Sequence, residues 1–332
     1  MGSFRLRDRQ VTEEQERLLL APGATLSTAS LGRAIREEPD PWRTAYERDR
    51  DRILHSKAFR RLKHKTQVFM NPEGDHYVTR LTHTIQVTQV GRAIAHGLSL
   101  NPALTEAICL GHDVGHSPFG HTGEEALSEF VEGEWRHSDQ SVRIYEVLEP
   151  LNLTTEVLDG IRAHPWKVQT PARTAEGGIV RFADRIAYLA HDALDAIRAG
   201  VLGPSDFPPS VLESLGVTGS DWINTMIAAV IRTSAERDEV AMDEHTLAIM
   251  LELRNFMFER VYLRAEVEPQ RRRAREIVRN LVEYFVVHPN EVPASYRHDD
   301  ADALTQVIDF VAGMTDRYAI SRHDELFRPQ LF

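Results

Sequence analysis

Residues 111–130, GHDVGHSPFGHTGEEALSEF, place His112, His116 and His121 beside Asp113, Glu124 and Glu125, in a chain with 15 histidines in all. Imidazoles and carboxylates at this density do two kinds of chemistry. They ligate a divalent cation, or they carry protons to and from a reacting group. Pro118 and Gly120 break the stretch in its middle, so one histidine closes a helix and another opens the next.

The flanking elements decide which way these side chains face. In NPALTEAICLGHD, Asn101 is a good N-cap and Pro102 suits the first helical position, so His112 falls in line with Leu104 and Ile108 and faces inward with Asp113 beside it. Upstream, Val87, Val90, Ile94 and Leu98 form one helical stripe, and His83 lies one turn before Val87 on it. A lone inward histidine is ordinarily a hydrogen-bonded core residue. Two of them with an aspartate are costly to bury unless they share hydrogen bonds or a metal. A third helix, 177–200, has an apolar stripe of Ile186, Ala190, Ala193 and Ile197, and another face carrying Asp184, Tyr188, Asp192 and Asp195. A solvated face explains Asp195. Asp184 lies within an otherwise apolar stretch and is the candidate fourth ligand. Two imidazoles and two carboxylates suit Mn, Fe, Ni, Zn or, less comfortably, Mg, with positions left open for water and a substrate atom.

The neighbouring glutamates separate by helix phase. Thr122 and Glu125 have capping-box spacing, which gives Glu125 a structural role, whereas Glu124 shares the stripe of Leu127 and Val131 and points inward. His116 reads equally as a loop histidine bonding the turn or as a functional group. The basic cluster KAFRRLKHKTQ, 57–67, reads as a solvated helix face or as a local pocket for a small anion, the face being favoured.

Length and composition bound the rest. The chain has 332 residues, 42% of them hydrophobic, enough for one large core or two smaller ones. Helical periodicity dominates, so the fold class expected is all-α. Residues 1–45 form a charged arm, expected to be loosely attached; 46–200 form the catalytic core, and 201–332 a C-terminal helical region packed on it, ending in a helix near 300–317. Loops are expected at 165–178 and 203–220. The formal net charge of −11 argues against indiscriminate nucleic-acid binding. Cys109 stands alone, excluding an internal disulfide framework and favouring a reducing, cytoplasmic setting. No membrane span or secretory signal is visible, and Leu6 breaks a myristoylation match.

The order His83, His112–Asp113, Asp184 resembles that of the HD-domain phosphohydrolases. The segments RDRDRILHSKAFRRLKHKTQVF, GDHYVTRLTHT, GHDVGHSPFGHTGEEAL, FADRIAYLAHDALDA and VAGMTDRYA look like those of deoxynucleoside triphosphate triphosphohydrolases of the dGTPase type, over residues 43–330. The resemblance implies an all-α HD fold, one divalent metal ion, and hydrolysis of a dNTP to deoxynucleoside and inorganic triphosphate. It implies that His121 and Glu124 form the catalytic pair. It places His116, Arg80, His137, Arg254 and Arg185 around the phosphates, and Gln67, Tyr188 and Asp192 near the deoxyribose. Tyr262 joins the substrate contacts, although for Arg254 and Tyr262 ordinary surface and core placement stays open. His137 and His164 leave a two-metal arrangement open, against which the resemblance implies one. Relatives of this type imply a homo-oligomer and a second, regulatory dNTP.

Two other classes stay in view. Another HD phosphohydrolase, a nucleotidase or a phosphodiesterase, would use the same ligands and leave the triphosphate arginines without purpose. A non-catalytic nucleotide sensor or single-strand nucleic-acid binder would keep the fold without turnover, and QRRRAREIVR, 270–279, is the stretch that would serve nucleic acid, though it reads first as a charged helix face.

Overall fold

The structure, a computed structural model, describes residues 4–67 and 78–328, so part of the GDHYVTRLTHT segment lies outside the described residues. Its helices follow in order: α1 (Arg9–Leu19), α2 (Ala45–His55), α3 (Lys57–Arg61), α4 (Arg80–Gly97), α5 (Pro102–Gly111), α6 (His121–Ser128), α7 (His137–Arg143) and α8 (Thr155–Ala163). The chain continues through α9 (Ala175–Arg198), α10 (Pro209–Leu215), α11 (Ser220–Arg237), α12 (Glu244–Met257), α13 (Glu268–Val287), α14 (Ala303–Ala312) and α15 (Asp316–Phe327). Among the described residues there is no strand, only two isolated bridges, Arg33 with Thr154 and Thr66 with Thr79. The fold is all-α, as the periodicity predicts.

Caps set the helices that matter for the site. Thr79 and Thr82 cap α4 reciprocally. Asn101 accepts from the backbone N–H groups of Ala103 and Leu104 ahead of Pro102, and Thr174 accepts from Gly177 N at the start of α9. These caps satisfy amides that the first turn leaves open. The three helices then pack on one another, with α2 and α8 alongside. Gly91 permits the approach of α4 to α5, because a Cβ there would lie 2.7 Å from Cys109 Sγ. The main core runs through Val87, Ile94, Leu104, Ile108, Ile161, Ile186 and Leu189, each fully buried. Burial of each such aliphatic side chain contributes about 1.5–3 kcal/mol. These helices are therefore a stiff frame for the polar groups that project from them.

A second core joins α6 to the C-terminal helices. Phe119, Leu127 and Trp135 pack with Val278, Leu281, Phe285, Val307 and Val311. The final helix expected near 300–317 is instead two, α14 and α15, broken at Gly313–Thr315, where Thr315 caps α15. The short helix α10 lies inside the segment expected to be loop.

The N-terminal arm is anchored, contrary to the expectation of a loose attachment. Arg33 forms a buried ion pair with Asp49, and Glu176 accepts from Thr25 N at 2.9 Å and from Asn101 N at 2.9 Å. Glu16 accepts from Ser27 N and Ser27 Oγ, each at 2.7 Å. Charges that look solvated in sequence are spent on backbone amides of distant segments. No helix among the described residues is long and apolar enough to cross a membrane.

Candidate active site

Four side chains from three helical segments converge on one point. His83 on α4 directs Nε2 to Asp184 Oδ1 on α9 at 3.1 Å, and His112, capping α5, directs Nε2 to Asp113 Oδ1 at 3.3 Å and Asp184 Oδ1 at 3.8 Å. His83 Nε2 and Asp113 Oδ2 are 3.9 Å apart. The Nδ1 of His112 donates to Cys109 O at 2.6 Å, which turns Nε2 toward the carboxylates. That Nε2 is fully buried with no hydrogen-bond partner. Burial disfavours a charged His112, yet Asp113 and Asp184 outweigh it and raise its pKa to about 9. The surplus negative charge that would hold a proton there fits a divalent cation, and the mixed N/O donors suit one.

Beside this cluster lies a second one, organised by a single carboxylate. Glu124 on α6 lies in close contact with His116 Nδ1 and stands 3.2 Å from His137 Nδ1 and 3.4 Å from His121 Nδ1. Burial favours its neutral form, but His137, His116 and His121 together hold its pKa well below the usual carboxylate range. The rings of His116 and His137 stack at 3.7 Å, and His137 Nε2 meets His164 Nε2 at 3.2 Å. Burial and, after it, Arg80 push the His116 pKa down to about 4, against the pull of Asp113 and Glu124. His121 behaves oppositely: the neighbouring Glu124 raises its pKa. His121 is also the one imidazole of the four that opens to solvent, its side chain 75% exposed. Asp113 links the two clusters, meeting Arg80 Nη1 at 2.9 Å and His116 Nε2 at 3.1 Å.

Farther along α9, Tyr262 Oη donates to Asp192 Oδ2 at 2.9 Å, and burial pushes Asp192 up to about 8. Arg185 lies over the Trp166 ring at 3.9 Å, and Tyr188 is raised to about 12 by burial. Burial, and then Arg254, lowers the Arg185 pKa, so two guanidinium groups share this region. Arg254 itself lies over the Phe258 ring at 4.2 Å. Among the described residues, the buried Gln67 Oε1 has no hydrogen-bond partner.

Comparison with known proteins agrees with this geometry. The sequence matches the HD domain over residues 80–189 and the phosphohydrolase-associated domain over 240–325. It is 47% identical to a deoxyguanosinetriphosphate triphosphohydrolase-like protein of Caldanaerobacter subterraneus subsp. tengcongensis, across 97% of this chain and 96% of that one. It is 44% identical to a protein of the same description from Clostridium perfringens, across 97% and 98%. The chain belongs to the deoxyguanosinetriphosphate triphosphohydrolase-like family of HD-domain proteins. Among solved structures, a phosphohydrolase from Bacteroides thetaiotaomicron shares the fold with a TM-score of 0.54 at 17% identity, covering 84% of this chain and 68% of that one. A hypothetical protein from Aquifex aeolicus does so with a TM-score of 0.50 at 22% identity, covering 85% and 68%.

Within this family member, one sequence expectation is overturned. Glu125 does not cap α6. The N-cap is Gly120, at φ +56°, and no side chain caps the helix. That left-handed residue starts the helix at His121, so Thr122 falls inside the first turn and Glu125 is released to Arg271 and Arg275, at 2.9 and 3.2 Å. Sequence reasoning also missed Lys65, Trp166 and Asp316. Lys65 is the last cation of a run that otherwise stays partly or fully exposed, yet it is buried, and burial followed by the nearby Arg61 lowers its pKa to about 7.

Proposed function

We propose that this protein hydrolyses a deoxynucleoside triphosphate at its α-phosphorus, releasing deoxynucleoside and inorganic triphosphate. The observation that carries the proposal is the hub at Glu124, which leaves one raised, solvent-facing imidazole, His121, beside a buried metal-type cluster. One divalent ion held by His83, His112, Asp113 and Asp184 would supply Lewis acidity to the phosphoryl oxygen and orient a water. Attack forms the new P–O bond and breaks the bond from phosphorus to the 5′-oxygen. His121 donates its proton to that poor leaving group, and Glu124 keeps the imidazolium populated until then. Arg80, His116, His137, Arg185 and Arg254 bind the phosphates. Gln67, Tyr188, Asp192 and Tyr262 surround the deoxyribose, where the Tyr262–Asp192 hydrogen bond stiffens the wall of the sugar site.

Within residues 270–279, Arg271, Arg275 and Arg279 are engaged by Glu125, Glu129 and Glu268 while Arg272 and Arg273 stay exposed, which supports reading the stretch as a charged helix face rather than a nucleic-acid site. The test is incubation with each dNTP, alone and in pairs, with Mn or Mg, reading both products. Equimolar deoxynucleoside and triphosphate support the proposal. Monophosphate would indicate a different HD phosphohydrolase, and binding without turnover a sensor.

A further inference from the structure

The motif VAGMTDRYA has no part in the chemistry above, yet its aspartate touches two segments of the site. Asp316 opens α15, but the cap of that helix is Thr315, which accepts from Tyr318 N at 3.3 Å. Both Asp316 oxygens are spent elsewhere. One accepts from Thr66 N at 3.0 Å and from Thr66 Oγ1 at 2.5 Å, beside Gln67. The other accepts from Phe119 N at 3.0 Å, in the turn between His116 and His121. Lys65 makes the same junction from the other side, donating through Nζ to His116 O and to Ala312 O, the latter at 3.4 Å.

The turn needs such support. Phe119 has φ +63°, a left-handed conformation that a bulky residue avoids, and Gly120 follows at φ +56°. Without outside contacts Phe119 would relax toward negative φ, and the start of α6, with His121, would rotate. Its ring is held in the second core, but a ring alone does not fix a peptide plane. The buried amide must also find an acceptor, and Asp316 supplies it.

We infer that Asp316 and Lys65 are positioning residues, through which the corner between α14 and α15 holds the His116–His121 turn so that His121 faces Glu124. This rests on the reading of His121 as proton donor, but the geometric part is testable without turnover. The groups facing His121 are Glu124, His116, His137, Arg80 and Asp113.

The experiment is NMR titration of the His121 imidazole in metal-free full-length protein, with kcat and KM of the metal-loaded enzyme, for Asp316→Ala, Asp316→Asn and Lys65→Met. In Asp316→Ala the His121 titration should move to lower pH, and kcat should fall about 10- to 100-fold, the scale of a small misplacement. KM should rise less than kcat falls, since of the proposed phosphate and sugar contacts only His116 and Gln67 adjoin the loosened junction. Asp316→Asn, whose amide oxygen still accepts from Phe119 N–H, should recover most of both, and Lys65→Met should shift both in the same direction as Asp316→Ala. An unchanged His121 titration in folded Asp316→Ala overturns the inference, as does Asp316→Asn behaving like Asp316→Ala. If Asp316→Ala does not fold, Lys65→Met and Asp316→Asn decide, and wild-type titration in Lys65→Met overturns it. A His121→Gln enzyme that keeps full activity would instead overturn the proton-donor reading, whatever the titrations show.

Discussion

Glu124 and Glu125 leave adjacent positions of α6 on opposite sides: the first is held among His116, His121 and His137, and the second reaches out to Arg271 at 2.9 Å. One carboxylate is therefore enclosed by three imidazoles while its neighbour pairs on the surface.

Their variants should differ accordingly. Glu124→Ala should lower kcat by roughly 10²-fold or more through loss of general-acid help, with bound metal retained. Glu125→Ala should cost about 0–1 kcal/mol, because its carboxylate is half exposed in its ion pairs, and should leave turnover unchanged. Triphosphate release and melting temperature, measured on both variants, check the pair of outcomes.

The pH profile should report the same hub. His121 is raised above its ordinary value by Glu124, so its acid form persists to higher pH than a free imidazole and the alkaline limb of kcat lies correspondingly high. In Glu124→Gln the imidazolium loses its partner, and that limb should move to lower pH. A limb that stays in place would show that another group sets it.

Metal content should follow the ligands. Elemental analysis of active protein should find one ion per chain, and Asp184→Asn should drop the content well below that, since Asp184 faces both His83 and His112. Active protein without metal would remove the cluster from the mechanism.

Asp192 offers a stability test. Burial raises its pKa from 3.8 to about 8, so between those values the folded protein keeps a proton that the unfolded chain has released. Stability from this group is thus greatest below pH 3.8 and is lost as pH rises through 8. Asp192→Asn should remove that dependence, with an advantage over wild type growing across the window to the order of 1–3 kcal/mol at its upper end. Melting curves at pH 5 and pH 8.5 that show the same difference would contradict this.

Sugar selectivity should be strong. On the proposed placement of Gln67, Tyr188, Asp192 and Tyr262 around the deoxyribose, a 2′-hydroxyl would lack space or a partner, and kcat/KM for GTP should be roughly 10²-fold or more below that for dGTP. Equal values would remove these residues from the sugar site.

The metal-type cluster was legible because helix phase is a local property. His83 sits one turn from Val87, and Asp184 interrupts an apolar stretch, so spacing alone turns both inward. Glu125 shows the limit of that logic. The spacing from Thr122 to Glu125 is that of a capping box, but the left-handed Gly120 starts the helix at His121 and moves Thr122 out of the cap position. Lys65 hides among exposed cations because nothing in the run itself reveals a carbonyl of His116 waiting 51 residues away. Asp316 is harder still, being 197 residues from the Phe119 amide that it accepts from. Glu16 and Glu176 mislead for the same reason: their partners are backbone amides, which every residue carries.

The second core has a consequence for how the protein is made. Phe119, Leu127 and Trp135 find their apolar partners only from Ala274 onward, roughly 140 residues later, which a ribosome adding 5–20 residues per second takes about ten to thirty seconds to deliver. From residue 184 onward the nascent chain carries all four metal-type side chains but still lacks the apolar partners of Phe119, Leu127 and Trp135. On the proposed chemistry, a chain cut short before α14 and α15 would hold a cation without acting on a nucleotide.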